Sequence, residues 1–162
     1  MIRSTLCFAA LVNALLLPFS SFAADANLLV KDPYVRLAPP NAPTTGAFMV
    51  IKNVGNADRE LVKAESPMAK TAELHNHIND NGVMKMREVQ SIDIKANSQA
   101  ELKPGSYHIM LIDMKQALKE GDIVPITLTF DDGEKKSIEA PVRRIQTMMP
   151  ADKNMDHQGM QH

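Results

Sequence analysis

Between Leu28 and Arg144 no segment keeps a helical period for long, and turn pairs cut the chain into short apolar runs. Gly55-Asn56, Asn81-Gly82, Ala96-Asn97, Pro104-Gly105 and Asp132-Gly133 are the breaks, and Pro39-Pro40-Asn41-Ala42-Pro43 rules out a regular connection between the first two runs. Tyr34–Leu37 and Gly46–Lys52 are apolar and partly β-branched, while Ile126, Leu128 and Phe130 alternate with Thr127 and Thr129 in the period of a half-buried strand. Asp132-Gly133 marks a hairpin into Lys136–Val142. Only Met114–Glu120 has local helical character, a turn or two. Strands spaced roughly eight to twelve residues apart predict an all-β, Greek-key sandwich.

Two end segments fall outside this pattern. Arg3 followed by the apolar run Leu6–Leu17, then small residues from Ala23 to Ala26, predicts a signal peptide over residues 1–23 with cleavage near Ala23 to Ala26. The run is short of the ~20 apolar residues that span a bilayer, so no stable membrane insertion is expected. Residues 27–144 then form one domain, and 145–162, polar and aperiodic, a flexible tail. Cys7 is the only cysteine, too early in the run to become a lipidated first residue, so the exported protein is expected to contain no thiol. A net charge of −1 offers no electrostatic case for nucleic acid, and the absence of tryptophan argues against a stacking platform.

Methionine is the outlier at eleven residues, and its distribution is uneven. Three pairs of soft or borderline ligands stand two residues apart: His75-x-His77, Met84-x-Met86 and His108-x-Met110. On strands, such neighbours share a face. The first two pairs flank Asn79–Gly82, which allows two hairpin registers. A two-residue Asn81-Gly82 turn sets His77 opposite Met86; a four-residue loop sets His75 opposite Met86 and His77 opposite Met84. In both, all four side chains share one face, and His108 with Met110 on a later strand completes three or four ligands.

Ligand type selects the metal. Thioethers are soft and neutral and favour Cu(I), whereas zinc sites recruit thiolate, imidazole or carboxylate. A methionine has no proton to lose and survives an oxidising compartment. A blue-copper electron carrier and a thiol oxidoreductase both need a cysteine that the exported chain lacks, and two methionines suit a zinc hydrolase poorly. Met49 and Met68 read as core filler. The protein is therefore expected to be a binding protein and not an enzyme.

His75, ten intervening residues, Met86, twenty-one more, then His108-x-Met110 resembles the motif of the PCu(A)C periplasmic copper chaperones. The resemblance runs from about Tyr34 to Val142 and includes Tyr34-Val35-Arg36, Pro39-Pro40, Gly82–Met86 and Leu102–His108. It implies a cupredoxin-like sandwich holding one Cu(I) per folded domain through His75, Met86, His108 and Met110. It also implies a metallochaperone delivering copper toward the CuA centre of cytochrome c oxidase, alongside Sco-type thiol proteins. The protein is expected to be a monomer. Periplasmic copper storage or detoxification is the alternative function. The choice of His75 over His77 favours the four-residue loop, leaving His77 and Met84 as alternate or supporting ligands. In the tail, Met148, Met149, Met155, His157, Met160 and His162 are expected to form a second, weaker station for Cu(II) or Cu(I).

Overall fold

A computed structural model describes residues 27–40 and 42–145, so the predicted signal peptide and nearly all of the tail lie outside the described residues. Ten strands account for the fold: β1 (Leu28–Arg36), β2 (Thr44–Asn53), β3 (Arg59–Glu65), β4 (Ala69–Asp80), β5 (Val83–Glu88), β6 (Ile92–Ile94), β7 (Ser98–Leu102), β8 (His108–Met114), β9 (Ile123–Phe130) and β10 (Lys135–Arg143). Hydrogen bonding follows the order β5-β4-β8-β2-β1-β10-β9-β3-β6, with β7 added to β2. The crossover from one layer to the other is the parallel pairing of β1 with β10 at Val35 and Val142. The structure is all-β, as the turn spacing predicts.

The core follows from alternation. In β9, Val124, Ile126, Leu128 and Phe130 are buried; in β2, Ala47, Met49 and Ile51 face the same interior as Ile109 and Leu111 of β8. Met49 is core filler as expected, and Met68 packs partly buried against the same cluster. Asn53 is the fully buried polar residue of β2; its amide donates to the Ala57 and Ile94 carbonyls, and its Oδ1 accepts from the Gly55 amide. On β3, buried Arg59 pairs with Asp131 and Asp132 and so ties that strand to the β9–β10 hairpin.

Met114–Glu120 is not helical. β8 continues through Met114, paired with Ala69 of β4, and the residues after it form an irregular bend. The first residues of that segment are held in pairing with distant segments instead: Met114 stays extended opposite Ala69 and donates to the Pro43 carbonyl, and Lys115 donates to the Met68 carbonyl. The other turn expectations hold, with Gly82, Gly105 and Gly133 at positive φ in their turns.

Candidate metal centre

β4 runs between β5 and β8, so the three ligand pairs lie on three adjacent strands. The β4–β5 ladder pairs Asp80 with Val83, Asn79 with Met84, His77 with Met86 and His75 with Glu88. The connection is therefore the two-residue Asn81-Gly82 turn, and the four-residue loop favoured by the choice of His75 is corrected. Both turn residues have positive φ, 53° and 85°, the geometry whose twist matches that of the flanking strands. The Asn79 side chain accepts from the Gly82 amide at 2.7 Å, and Lys85 pairs with Asp80 at 2.6 Å, which reinforces that register. On its other side β4 pairs His75 with His108 and Glu73 with Met110.

By strand parity Glu73, His75, His77, Met84, Met86, His108 and Met110 all face away from the core side of the sheet. The His75 and His108 ring centroids are 5.8 Å apart, and His77 stacks on His108 at 5.2 Å. Met86 lies directly across from His77 and diagonally from His75, a diagonal that general strand geometry puts at roughly 7–8 Å between backbones. His77, Met86, His108 and Met110 line an open groove shared with Arg36–Pro40 and Ala42–Gly46. His75 stands beside that groove, against His108. Met84 is 55% exposed at the hairpin tip and takes no part in the lining. Met148, Met149, Met155, His157, Met160 and His162, expected as a tail station, lie outside the described residues.

The imidazoles carry the information about state. His108 is almost wholly buried, and its Nδ1–H donates to the Ser106 carbonyl at 2.9 Å, so Nε2 is left with the lone pair. Burial pushes its pKa below the ordinary histidine value against the opposing Ser106 bond, and neighbouring His77 and His75 push the same way as burial. Nδ1 of His75 and Nδ1 of His77 are buried with no hydrogen-bond partner. Such orphaned polar atoms cost about 1–3 kcal/mol each unless something binds them. Among the described residues no three His, Cys, Asp or Glu side chains are placed to hold a metal between them. Imidazoles together with thioethers, the side chains gathered on this face, are a donor set suited to Cu(I).

Three residues beside the candidate ligands complete the arrangement. Phe48 packs its ring between Tyr34, at 5.2 Å, and His108, at 6.1 Å. Gly46, paired with Met110, leaves the space this ring occupies, since a Cβ there would come within 3.0 Å of Phe48 Cζ. Glu73 accepts from His75 Nε2 at 2.9 Å. The same-face spacings Gly46-x-Phe48 and Glu73-x-His75 were visible in the sequence; what they touch was not.

The fold has counterparts among known proteins. The solution structure titled CuI-DR1885 from Deinococcus radiodurans is 28% identical, with a TM-score of 0.62 over 77% of this chain and 83% of that one. The apo form of that protein gives 28% identity and a TM-score of 0.60 over 88% of this chain and 97% of its own. The apo PCuAC domain from PmoF1, at 20% identity and a TM-score of 0.64 over 74% of this chain and 95% of that domain, shares the fold. Among curated proteins, "Putative lipoprotein Lxx21020" of Leifsonia xyli subsp. xyli (strain CTCB07) is 37% identical over 61% of this chain. "Uncharacterized protein RP573" of Rickettsia prowazekii (strain Madrid E) is 38% identical over 59% of it. The matches span 60% and 53% of the lengths of those two relatives. Residues 28–142, the whole sandwich, match the family described as "Putative lipoprotein LpqE-like", and the chain belongs to that LpqE-like family.

Proposed function

We propose that this chain is an exported, periplasmic Cu(I)-binding metallochaperone whose folded domain carries one copper ion on His75, Met86, His108 and Met110. The observation that supports this best is the convergence of soft and borderline donors from three strands, with imidazole nitrogens buried and without partners. The Deinococcus protein of the same fold is titled as a Cu(I) form, at 28% identity. Copper is the cargo, and the centre suits a cargo. All four ligands are uncharged, so the ion is held without a thiolate and without a blue-copper spectrum. Met86 is 42% exposed on the outermost strand of the sheet, where an incoming ligand can replace it. His108, by contrast, is fixed in a buried setting and retains the ion until exchange is under way.

The acceptor we propose is the CuA centre of cytochrome c oxidase, reached together with a Sco-type thiol protein. Copper storage or detoxification uses the same site and differs only in whether the ion leaves it. Two measurements test the proposal. Competition with a chromophoric Cu(I) chelator should show one tight site in the folded domain, absent when all four ligands are replaced; equal binding by that variant ends the copper reading. Transfer from the loaded protein to an apo CuA domain should outpace transfer from free copper complexes, and no advantage would leave storage as the function.

A further inference from the structure

We infer that Glu73 is the positioning residue of this centre: its carboxylate holds the His75 ring so that Nδ1 is the nitrogen presented to copper. The inference rests on the copper reading of the site. A carboxylate can only accept, so its 2.9 Å contact with His75 Nε2 requires that nitrogen to carry the proton. In a neutral imidazole the lone pair then belongs to Nδ1, which is the His75 atom found buried without a partner. His108 shows the reverse assignment for the same kind of reason, with Nδ1–H donating to a carbonyl and the lone pair left on Nε2. A metal-binding histidine characteristically gives its other N–H to a carboxylate or carbonyl, which orients the ring and raises its basicity. Both rings meet that condition.

Topology makes the arrangement selective for His75. Glu73 and His75 share the outer face of β4, and the β4–β8 ladder sets Glu73 against Met110 and His75 against His108. The carboxylate thus stands beside two proposed ligands while its hydrogen bond spends one oxygen on the ring. Its negative charge offsets the single positive charge that an uncharged ligand set leaves on Cu(I). No carboxylate bonds the His77 ring among the described residues, so His77 stacks on His108 without a fixed tautomer. That difference singles out His75 as the β4 ligand, although His77 is the one facing the groove.

The test uses the copper-free and Cu(I)-loaded protein with Glu73→Ala and Glu73→Gln. Long-range proton–nitrogen spectra of the copper-free wild type, taken above about pH 8 where free imidazole is neutral, should show His75 in the Nε2–H tautomer. Glu73→Ala should lose that preference, and Cu(I) affinity should fall about ten- to a hundredfold. Glu73→Gln, whose amide oxygen still accepts from Nε2–H, should keep the tautomer and lose less affinity than the alanine variant. The Glu73 side chain is 30% exposed, so both variants should fold, which amide spectra check directly. A wild-type His75 protonated at Nδ1 overturns the inference. So does a Glu73→Ala protein that binds Cu(I) as tightly as wild type or more tightly, since Glu73 would then compete for Nε2. A wild-type protein with no Cu(I) affinity would end the copper reading and the inference together, whereas the other two results leave the copper reading standing.

Discussion

Gly46→Ala is the most informative single methyl group that can be added to this protein. The new Cβ would lie 3.0 Å from Phe48 Cζ and 3.2 Å from Cε2, inside ordinary van der Waals distance. The ring has little room to give way: Phe48 is 5% exposed and held between Tyr34 and His108. Overpacking of this kind typically costs about 1–3 kcal/mol. The upper half of that range is expected here, because the clash falls on a confined ring and not on the end of a flexible chain. Displacement of Phe48 should also reach His108 and lower Cu(I) affinity, although Gly46 supplies no ligand atom. Denaturant unfolding of wild type, Gly46→Ala, Phe48→Leu and the double variant forms a cycle that isolates the clash. In the Phe48→Leu background the cost of Gly46→Ala should shrink to under about 0.5 kcal/mol, the error of additive sites. An equal cost in both backgrounds would show that the methyl group is felt elsewhere, and the argument from Phe48 would fail.

Met86→Leu should lower Cu(I) affinity at least tenfold in chelator competition while costing under about 1.5 kcal/mol of stability, since the swap roughly conserves volume; Met84→Leu at the hairpin tip should leave copper binding unchanged. Truncation after Arg144 should remove a second, weaker copper equivalent without altering the first, and identical Cu(I) and Cu(II) stoichiometries would refute a binding role for the tail. At Asp131, burial pushes the carboxyl pKa up, but hydrogen bonds from Arg59 and the Glu60 backbone outweigh it and hold the group below its usual range. A folded-state pKa below the unfolded value of about 3.9 contributes stability above that pH and loses it as pH falls through the folded value. Asp131→Asn should therefore weaken the protein near neutral pH and flatten the acid limb of its stability curve, read from denaturant midpoints; an unchanged acid limb would assign that limb to other groups.

What could be read from the chain alone was everything that depends on local period. Alternation in Ile126–Phe130 located a strand and its buried face, Asn81-Gly82 located a turn, and spacing of two put His75 with His77 and His108 with Met110 on common faces. Local period could not choose between the two hairpin registers. They differ by a shift of two residues, and only an odd shift turns side chains to the opposite face. The choice fell to the positive-φ turn and to the extra rungs that carry β4 and β5 to Asp80 and Val83. Likewise Met114–Glu120 has enough helical character to suggest a turn of helix, but pairing with Ala69, distant in sequence, keeps Met114 extended in the β4–β8 ladder. The neighbours of β4 were decided in the same way, by burial of Leu74, Ile109 and Leu111 in a shared core. Only that packing sets His75 against His108, and with them Glu73 against Met110, because strand pairing is selected by contacts far apart along the chain, whereas the face a side chain takes is selected by its immediate neighbours.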